Sequence, residues 1–487
     1  MSQPQNNNSV SGNLGNSQPI LSVETNRGNN PPPPEPSAKA PPPSERNSAP
    51  PPSAPPPNPN KAGAPPAIEV ARANLSQTFD TGNIEVAVPQ IEVLTQQEYQ
   101  DYLGAGLSLG SAANSAQSIK DMLAKIEKQT GNRSGIIYAI ARPDQLELVL
   151  ITANGKITHR TVREANRAVL VETAQQFRDE ITNQIKRNTT TYLAPAQKLY
   201  NWLIEPLEED LKNAKIDTIL FSLDAGLRTL PVAALHDGKQ FLVEKYSLAL
   251  IPSISLTNTN YQRLSGASVL AMGASLFSDK SPLPAVPLEL QTIISKWPGK
   301  SFLNELFTLK NLRSVRSATP YQIIHLATHG EFKPGTANNS YIQLWDTQLQ
   351  LNQMRELGWS NPPVELLVLS ACRTAVGDEG AELGFGGLAV QAGVKSALAS
   401  LWYVSDEGTL GLMSEFYSQL RNAAIKSEAL RQAQIAMLRG ETKIESGQLR
   451  GPGLVSVMLP AGEKNQTNIT LAHPYYWSGF TMIGSPW

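Results

Sequence analysis

Two residues that could together make a nucleophile stand in matching settings. Cys372 is the only cysteine among 487 residues, and it follows the apolar run Leu366-Leu-Val-Leu-Ser-Ala371; His329 follows Ile323-Ile-His-Leu-Ala-Thr328. A thiol of ordinary pKa, ~8.5, is only a few per cent thiolate near neutral pH, so it needs an imidazole close by. If the two runs are neighbouring parallel strands, their carboxyl ends share one edge, the edge where open parallel sheets hold ligands. Gly330 has no side chain, so its amide can approach a substrate carbonyl and form an oxyanion hole with the amide of Cys372. Taken singly, a lone buried cysteine packs as a small hydrophobe and a lone histidine is structural. The paired placement argues for chemistry. His325 lies inside its strand and reads as a satisfied core histidine, and the His325/His329 spacing suits zinc on a helix rather than on a strand. A single cysteine excludes an intrachain disulfide and any cysteine-cluster metal site.

Elements of both periods must position these residues. Helical periodicity covers Ala112–Gln129, Arg163–Ile185, Ala196–Leu211, Leu288–Trp297, Gly386–Ala392, Thr409–Leu420 and Ser427–Leu438. Strand patterns cover 135–141, Leu146–Thr152, Ile157–Val162, Thr218–Leu223, Ser268–Gly273, Tyr321–Thr328, Val364–Ala371, Ala397–Val404 and the end of the chain. Tyr341–Leu351 reads as a hairpin turning at Asp346. Apolar strands alternating with amphipathic helices imply an α/β domain with a mainly parallel sheet. The order of elements before Gly266 loosely echoes the order after it.

Composition narrows the partners. Net charge is −1 from 41 basic and 42 acidic residues, which argues against a nucleic-acid or anionic-membrane surface. No apolar stretch has membrane-spanning length and no signal peptide stands out, so the chain as given reads as soluble and cytoplasmic. Seventeen of the 37 prolines fall within Pro31–Pro66, in a segment with too little apolar surface to offset the entropy of ordering. Residues 1–66 read as a disordered Pro/Asn-rich arm whose Arg27, Lys39, Arg46 and Lys61 would be accessible to autoproteolysis. No Walker-type or GxGxxG loop follows a strand, and the Gly384-Phe-Gly-Gly387 cluster has no phosphate-binding lysine beside it.

The segments IIHLATHGEF, LLVLSACRTAVGDEGAELGFGGLAVQAGV, SALASLWYVSDEGT and HPYYWSGFTMIG, together with GLRTLPVAALHDG, LALIPSISL and LPAVPLEL, resemble the CHAT domain family, caspase-like cysteine peptidases of bacteria related to separases and caspases. The likeness covers about 193–487. It implies a caspase-like three-layer sandwich with a mainly parallel six-stranded sheet, preceded by a non-catalytic pseudo-caspase half. The division expected is an arm at 1–66, a linker and helical lead-in at 67–133, a pseudo-caspase half at 134–264 and a catalytic half at 265–487. The catalytic dyad carried over is His329 and Cys372, with the amides of Gly330 and Cys372 as oxyanion hole and no metal or organic cofactor. The related separase pattern puts an acid after the strand Ala397–Val404, which makes Asp406 the candidate S1 residue for a basic P1 side chain. Asp378, Glu379, Glu382 and Glu407 read for the most part as solvated loop charges. The partners expected are a protein or peptide substrate and a regulatory protein. The competing reading is a catalytically silent caspase-fold scaffold.

Overall fold

The computed structural model describes residues 67–104, 115–374, 378–459 and 468–487, with the backbone alone for Ala371, Cys372, Leu454 and Val455. The arm 1–66, with Arg27, Lys39, Arg46 and Lys61, lies outside the described residues.

The chain opens with helices α1 (Ala67–Asp80), α2 (Ile84–Leu103) and α3 (Ala116–Thr130). Ser115 caps α3 by accepting from Ser118 N–H, and Gly131 ends it in the left-handed region at φ 73°. Strands β1 (Ser134–Ala141), β2 (Leu146–Thr152) and β3 (Thr158–Val162) follow, then α4 (Arg167–Thr182), α5 (Leu193–Leu203), α6 (Glu208–Asn213), β4 (Thr218–Leu223), α7 (Leu242–Lys245) and β5 (Ser247–Leu250). The single helix expected over Ala196–Leu211 is broken into α5 and α6 by a 3₁₀ turn at Glu205–Leu207, because Pro206 cannot donate to the helical ladder.

The second run is β6 (Val269–Gly273), α8 (Val286–Lys296), β7 (Gly299–Leu303), α9 (Leu309–Ala318), β8 (Ile323–Phe332), β9 (Tyr341–Gln343), β10 (Gln348–Gln350) and β11 (Leu366–Thr374). It continues with α10 (Glu379–Gly386), α11 (Leu388–Ala392), β12 (Ser396–Ser400), α12 (Asp406–Leu420) and α13 (Lys426–Leu438). A separate four-stranded sheet, β13 (Lys443–Glu445), β14 (Gln448–Gly451), β15 (Leu454–Met458) and β16 (Asn468–Thr470), precedes α14 (Pro474–Trp477) and β17 (Phe480–Gly484).

Thirteen strands form one mixed, mostly parallel sheet. Strands β7, β6, β8, β11 and β12 lie side by side and parallel. β17 joins β12 antiparallel and continues parallel with β5, β4 and β1. The two parallel blocks therefore run in opposite directions, and their carboxyl ends lie on opposite edges of the sheet. A meander β1–β2–β3 finishes one side. The hairpin β9–β10, turning at Asp346 as expected, pairs with the far end of β8. The six-stranded sheet that the resemblance implies is not a separate sheet: β7-β6-β8-β11-β12-β17 run on into β5, β4 and β1 within the thirteen.

Both faces of the block that contains β1, β4 and β5, the first block in chain order, are covered. Alternate residues of β1 enter different cores, Ile136, Tyr138 and Ile140 joining α1–α3 while Ile137, Ala139 and Ala141 join α4 and α5, as a two-residue side-chain period requires. Glu92 of α2 is buried and accepts from Tyr138 Oη (2.7 Å) and Ser255 N (2.8 Å). The glycine cluster at 384–387 serves the same packing: a Cβ at Gly386 would lie 2.6 Å from Tyr99 Oη, and one at Gly387 3.0 Å from Leu103 Cδ1. These glycines let α2 approach α10 and α11.

Candidate active site

β8 and β11 are neighbours and parallel, with His329 opposite Ala371 and Gly330 opposite Cys372. The backbones of the two candidate residues thus lie one register position apart on adjoining strands. Neither strand stops where the sequence pattern suggests. β8 runs on to Phe332 and β11 to Thr374, because His329–Phe332 and Ala371–Thr374 stay paired with each other and residues 330 and 331 gain a second partner in β9. Between the pairs Leu326–Leu369 and His329–Ala371 the register shifts, β8 spending one more residue than β11. This bulge falls immediately before His329, where it re-aims the side chains that follow.

Residues of two loops, those after β6 and β12, contact the imidazole. His329 Nε2 lies 2.8 Å from the carbonyl oxygen of Ser281. A carbonyl only accepts, so Nε2 carries a proton and Nδ1 is the nitrogen with a lone pair in the neutral ring. Phe277, in the same loop after β6, tilts against the ring at 4.7 Å between centroids, and Tyr403, after β12, stacks at 6.1 Å. Burial pushes the imidazole below its ordinary pKa of 6.5; Lys280 adds to this, while the Ser281 carbonyl, Glu331 and Asp279 oppose it. The ring is therefore neutral at pH 7, the form that can accept a thiol proton.

Asp406 does not follow directly on its strand. β12 ends at Ser400 rather than Val404, and Asp406 opens α12 behind the cap residue Ser405. Its Oδ1 accepts from Tyr403 Oη at 2.8 Å and its Oδ2 from Ala285 N–H at 3.3 Å. Burial raises its pKa to about 6 against these two hydrogen bonds, and the nearby Glu289 and Glu407 add to the rise. Tyr403 thus links Asp406 to the His329 ring, a connection that spacing alone does not reveal.

Other expectations resolve differently. His325 is fully buried in the core, as anticipated, but only one of its ring nitrogens is hydrogen-bonded: Nδ1 lies 3.1 Å from Tyr417 Oη, while Nε2 faces Glu289 Oε1 at 3.0 Å without hydrogen-bond geometry. Glu382 is not a solvated loop charge. It is 1 % exposed and accepts from Gly226 N–H at 2.7 Å, because the helix expected from Gly386 already begins at Glu379. Asp378 caps that helix through Ala381 N–H, 2.8 Å. A cavity of about 610 Å³ lies at the opposite edge, by Ala141 and Ala225. Several of its charged groups are paired: Arg72 bonds Asp224 and Glu98, Arg228 bonds Glu98, and Arg167 lies against Asp224 and Glu379. It therefore reads as a structural ion network. Among the described residues no group of three or more His, Cys, Asp or Glu could hold a metal ion, and no helix is long and apolar enough to cross a membrane.

The CHAT domain family model matches residues 193–485, well over half of the chain. Solved structures similar to it include two of the Saccharomyces cerevisiae separase–securin complex. The structure at 2.6 Å resolution is 11 % identical with a TM-score of 0.43, covering 76 % of this chain and 32 % of that one. The structure at 3.0 Å is 10 % identical with a TM-score of 0.46, covering 82 % and 33 %. The chain spans about a third of the length of those separase chains. A search of the curated proteins finds no match.

Proposed function

The chain belongs to the CHAT domain family, and from that premise we propose that it is a cysteine endopeptidase of caspase-like fold, with residues 265–487 as its catalytic half and 134–264 as a pseudo-caspase half. The observation that carries this reading is the register of β8 and β11, which sets Cys372 across from Gly330, the residue next to His329. The Ser281 carbonyl adds a third partner that orients the imidazole.

In this mechanism the Cys372 thiol gives its proton to His329 Nδ1, and the sulfur attacks the peptide carbonyl carbon. The amides of Gly330 and Cys372 hold the oxyanion. The imidazolium returns the proton to the leaving amine as the C–N bond breaks, leaving a thioester on Cys372. Water, deprotonated by the same nitrogen, attacks the thioester; the proton goes to the departing thiolate and the acid product leaves. Asp406 accepts the guanidinium or ammonium of a basic P1 residue, which must then displace the Tyr403 hydroxyl from its carboxylate.

One observation favours a second reading, a silent or latent scaffold. Tyr403 stacks on His329 while its hydroxyl occupies Asp406. Turnover of a basic-residue peptide library and labelling with a thiol-reactive arginyl peptide separate the two readings. The peptidase reading requires cleavage after Arg or Lys that falls to background in Cys372→Ala. A folded wild type that neither cleaves nor labels, with or without added partner proteins, leaves the scaffold.

A further inference from the structure

Arg178 is a buried cation that the proposed chemistry does not use. It belongs to α4, in the part of the chain that carries neither His329 nor Cys372, and is 4 % exposed. One of its terminal nitrogens donates to two backbone carbonyls, Thr374 at 2.7 Å and Leu401 at 2.6 Å. Burial lowers its pKa to about 10, Glu382 and Asp179 opposing, so it stays charged at neutral pH. Its other terminal nitrogen is buried without a hydrogen-bond partner, so the cost of burying the guanidinium is offset through these two acceptors, which lie at the ends of the strands that frame the site.

The local pairing indicates what those bonds hold. β11 pairs with β12 from Leu367–Ala397 to Leu369–Ala399 and meets it again where Thr374 N–H donates to Leu401 O at 3.2 Å. From the first contact to the second, β11 advances five residues and β12 two. On the other flank Ala371–Thr374 keep their pairing with His329–Phe332. The stretch that contains Cys372 therefore bows away from β12 while staying zipped to β8. Arg178 closes the far end of the bow, sharing the Leu401 carbonyl with Thr374 N–H.

We infer that Arg178 is a positioning residue of the proposed active site: by tying Thr374 to Leu401 it fixes the bowed backbone of Cys372 opposite Gly330, so that α4 sets the geometry of a dyad on the other part of the chain. The inference rests on the peptidase reading of that dyad. An arginine suits the task because the two N–H bonds of one planar terminal nitrogen reach both carbonyls at once, whereas a lysine at the same place supplies a shorter point charge.

The test uses the full chain and its single cysteine, since iodoacetamide alkylation then reports Cys372 alone. Arg178→Lys and Arg178→Met are compared with wild type for melting temperature, kcat and KM on an arginyl peptide, and alkylation rate at pH 7 against a urea-unfolded reference. The expected result is an Arg178→Lys variant that melts within a few degrees of wild type. Its kcat falls roughly tenfold or more, KM changes less than about twofold, and alkylation moves toward the unfolded rate, with Arg178→Met further along the same path. Folded variants with wild-type kcat and alkylation overturn the inference, as does a loss of activity that only follows the unfolded fraction. If Arg178→Met does not fold, Arg178→Lys decides. If wild type cleaves nothing, alkylation still decides. A folded-state rate changed by Arg178→Lys upholds the clamp while the peptidase reading falls; an unchanged rate removes the clamp.

Discussion

The imidazole of His329 and the carboxylate of Asp406 both sit where burial has moved their titration, in ways that kinetics can separate. Burial makes the His329 ring harder to protonate, so the neutral base persists to lower pH than for a free histidine, and kcat should fall only as pH drops below 6.5. Asp406 is displaced the other way, to about 6. Above that pH it is a carboxylate able to pair with an arginine; below it the charge is lost. KM for an arginyl peptide should therefore rise as pH falls through about 6, while a peptide with a neutral P1 residue shows no such rise. Asp406→Asn should raise KM for the arginyl peptide roughly tenfold or more at pH 7.5, the scale of a charge-assisted hydrogen bond, and should flatten its pH dependence. An arginyl KM that is flat across pH 5 to 8 in wild type, or unchanged in Asp406→Asn, removes Asp406 from substrate recognition.

At the scale of elements, the strands that frame the site reveal themselves through one property, burial on both faces. β8, β11 and β12 are near-continuous apolar runs, as central parallel strands must be, so their type was legible; the shared edge of His329 and Cys372 followed only on the condition that the two strands be neighbours, which the β8–β11 pairing supplies. The strands' ends were not legible. A strand's end depends on its neighbours, and β8 continues from His329 to Phe332 because it stays paired with Ala371–Thr374 of β11 and gains β9 at Gly330 and Glu331. β7 could not be seen at all: Gly299-Lys-Ser-Phe-Leu303 is an edge strand with no buried residue, so neither periodicity nor hydrophobicity marks it. The stacking of Tyr403 on His329 and the reach of Arg178 were hidden for a related reason, since each joins elements distant in the chain. β7 nonetheless carries a sharp constraint. A side chain on Gly299 would run into the Val269 carbonyl, a clash with backbone that no rotamer change relieves. Gly299→Ala should force β7 away from β6 and destabilise the protein by about 3 kcal/mol or more, a fall of several degrees in melting temperature. Substituting the neighbouring exposed Lys300 with Ala should change it little. Equal melting temperatures for the two variants would show that β7 does not lie against β6.

For the whole molecule, the reversal of strand direction at β12–β17 decides how the two parts of the chain depend on each other. The sheet crosses this line without an edge, β17 pairing with β12 on one side and β5 on the other, and one hydrophobic core takes in residues from Tyr99 to Ile483. Polar ties cross as well. Arg431 donates to the carbonyls of Val243 (2.8 Å) and Glu244 (2.6 Å), Ser247 Oγ to Glu428 (2.5 Å), and Trp487 Nε1 to Ser134 Oγ (3.1 Å). Removing residues before 265 would expose the β5-facing side of β17, strip α13 of its partners, and leave the Thr374 and Leu401 carbonyls without Arg178. An apolar strand edge exposed in this way templates aggregation. A fragment spanning 265–487, although it holds His329, Cys372 and Asp406, should therefore be insoluble or lack a cooperative melt. The fragment 67–487 should fold and keep the activity of the full chain, because α1 and α2 close the first block through Arg72–Asp224 and Glu92. The fragment 134–487 distinguishes the contributions: without α2, the buried Tyr138 and the glycine faces of α10 and α11 lose their cover, so it should melt well below 67–487. A soluble, cooperatively melting 265–487 with full peptidase activity would mean that the proposed catalytic half stands alone and that the strands before residue 265 contribute neither stability nor alignment to the proposed dyad.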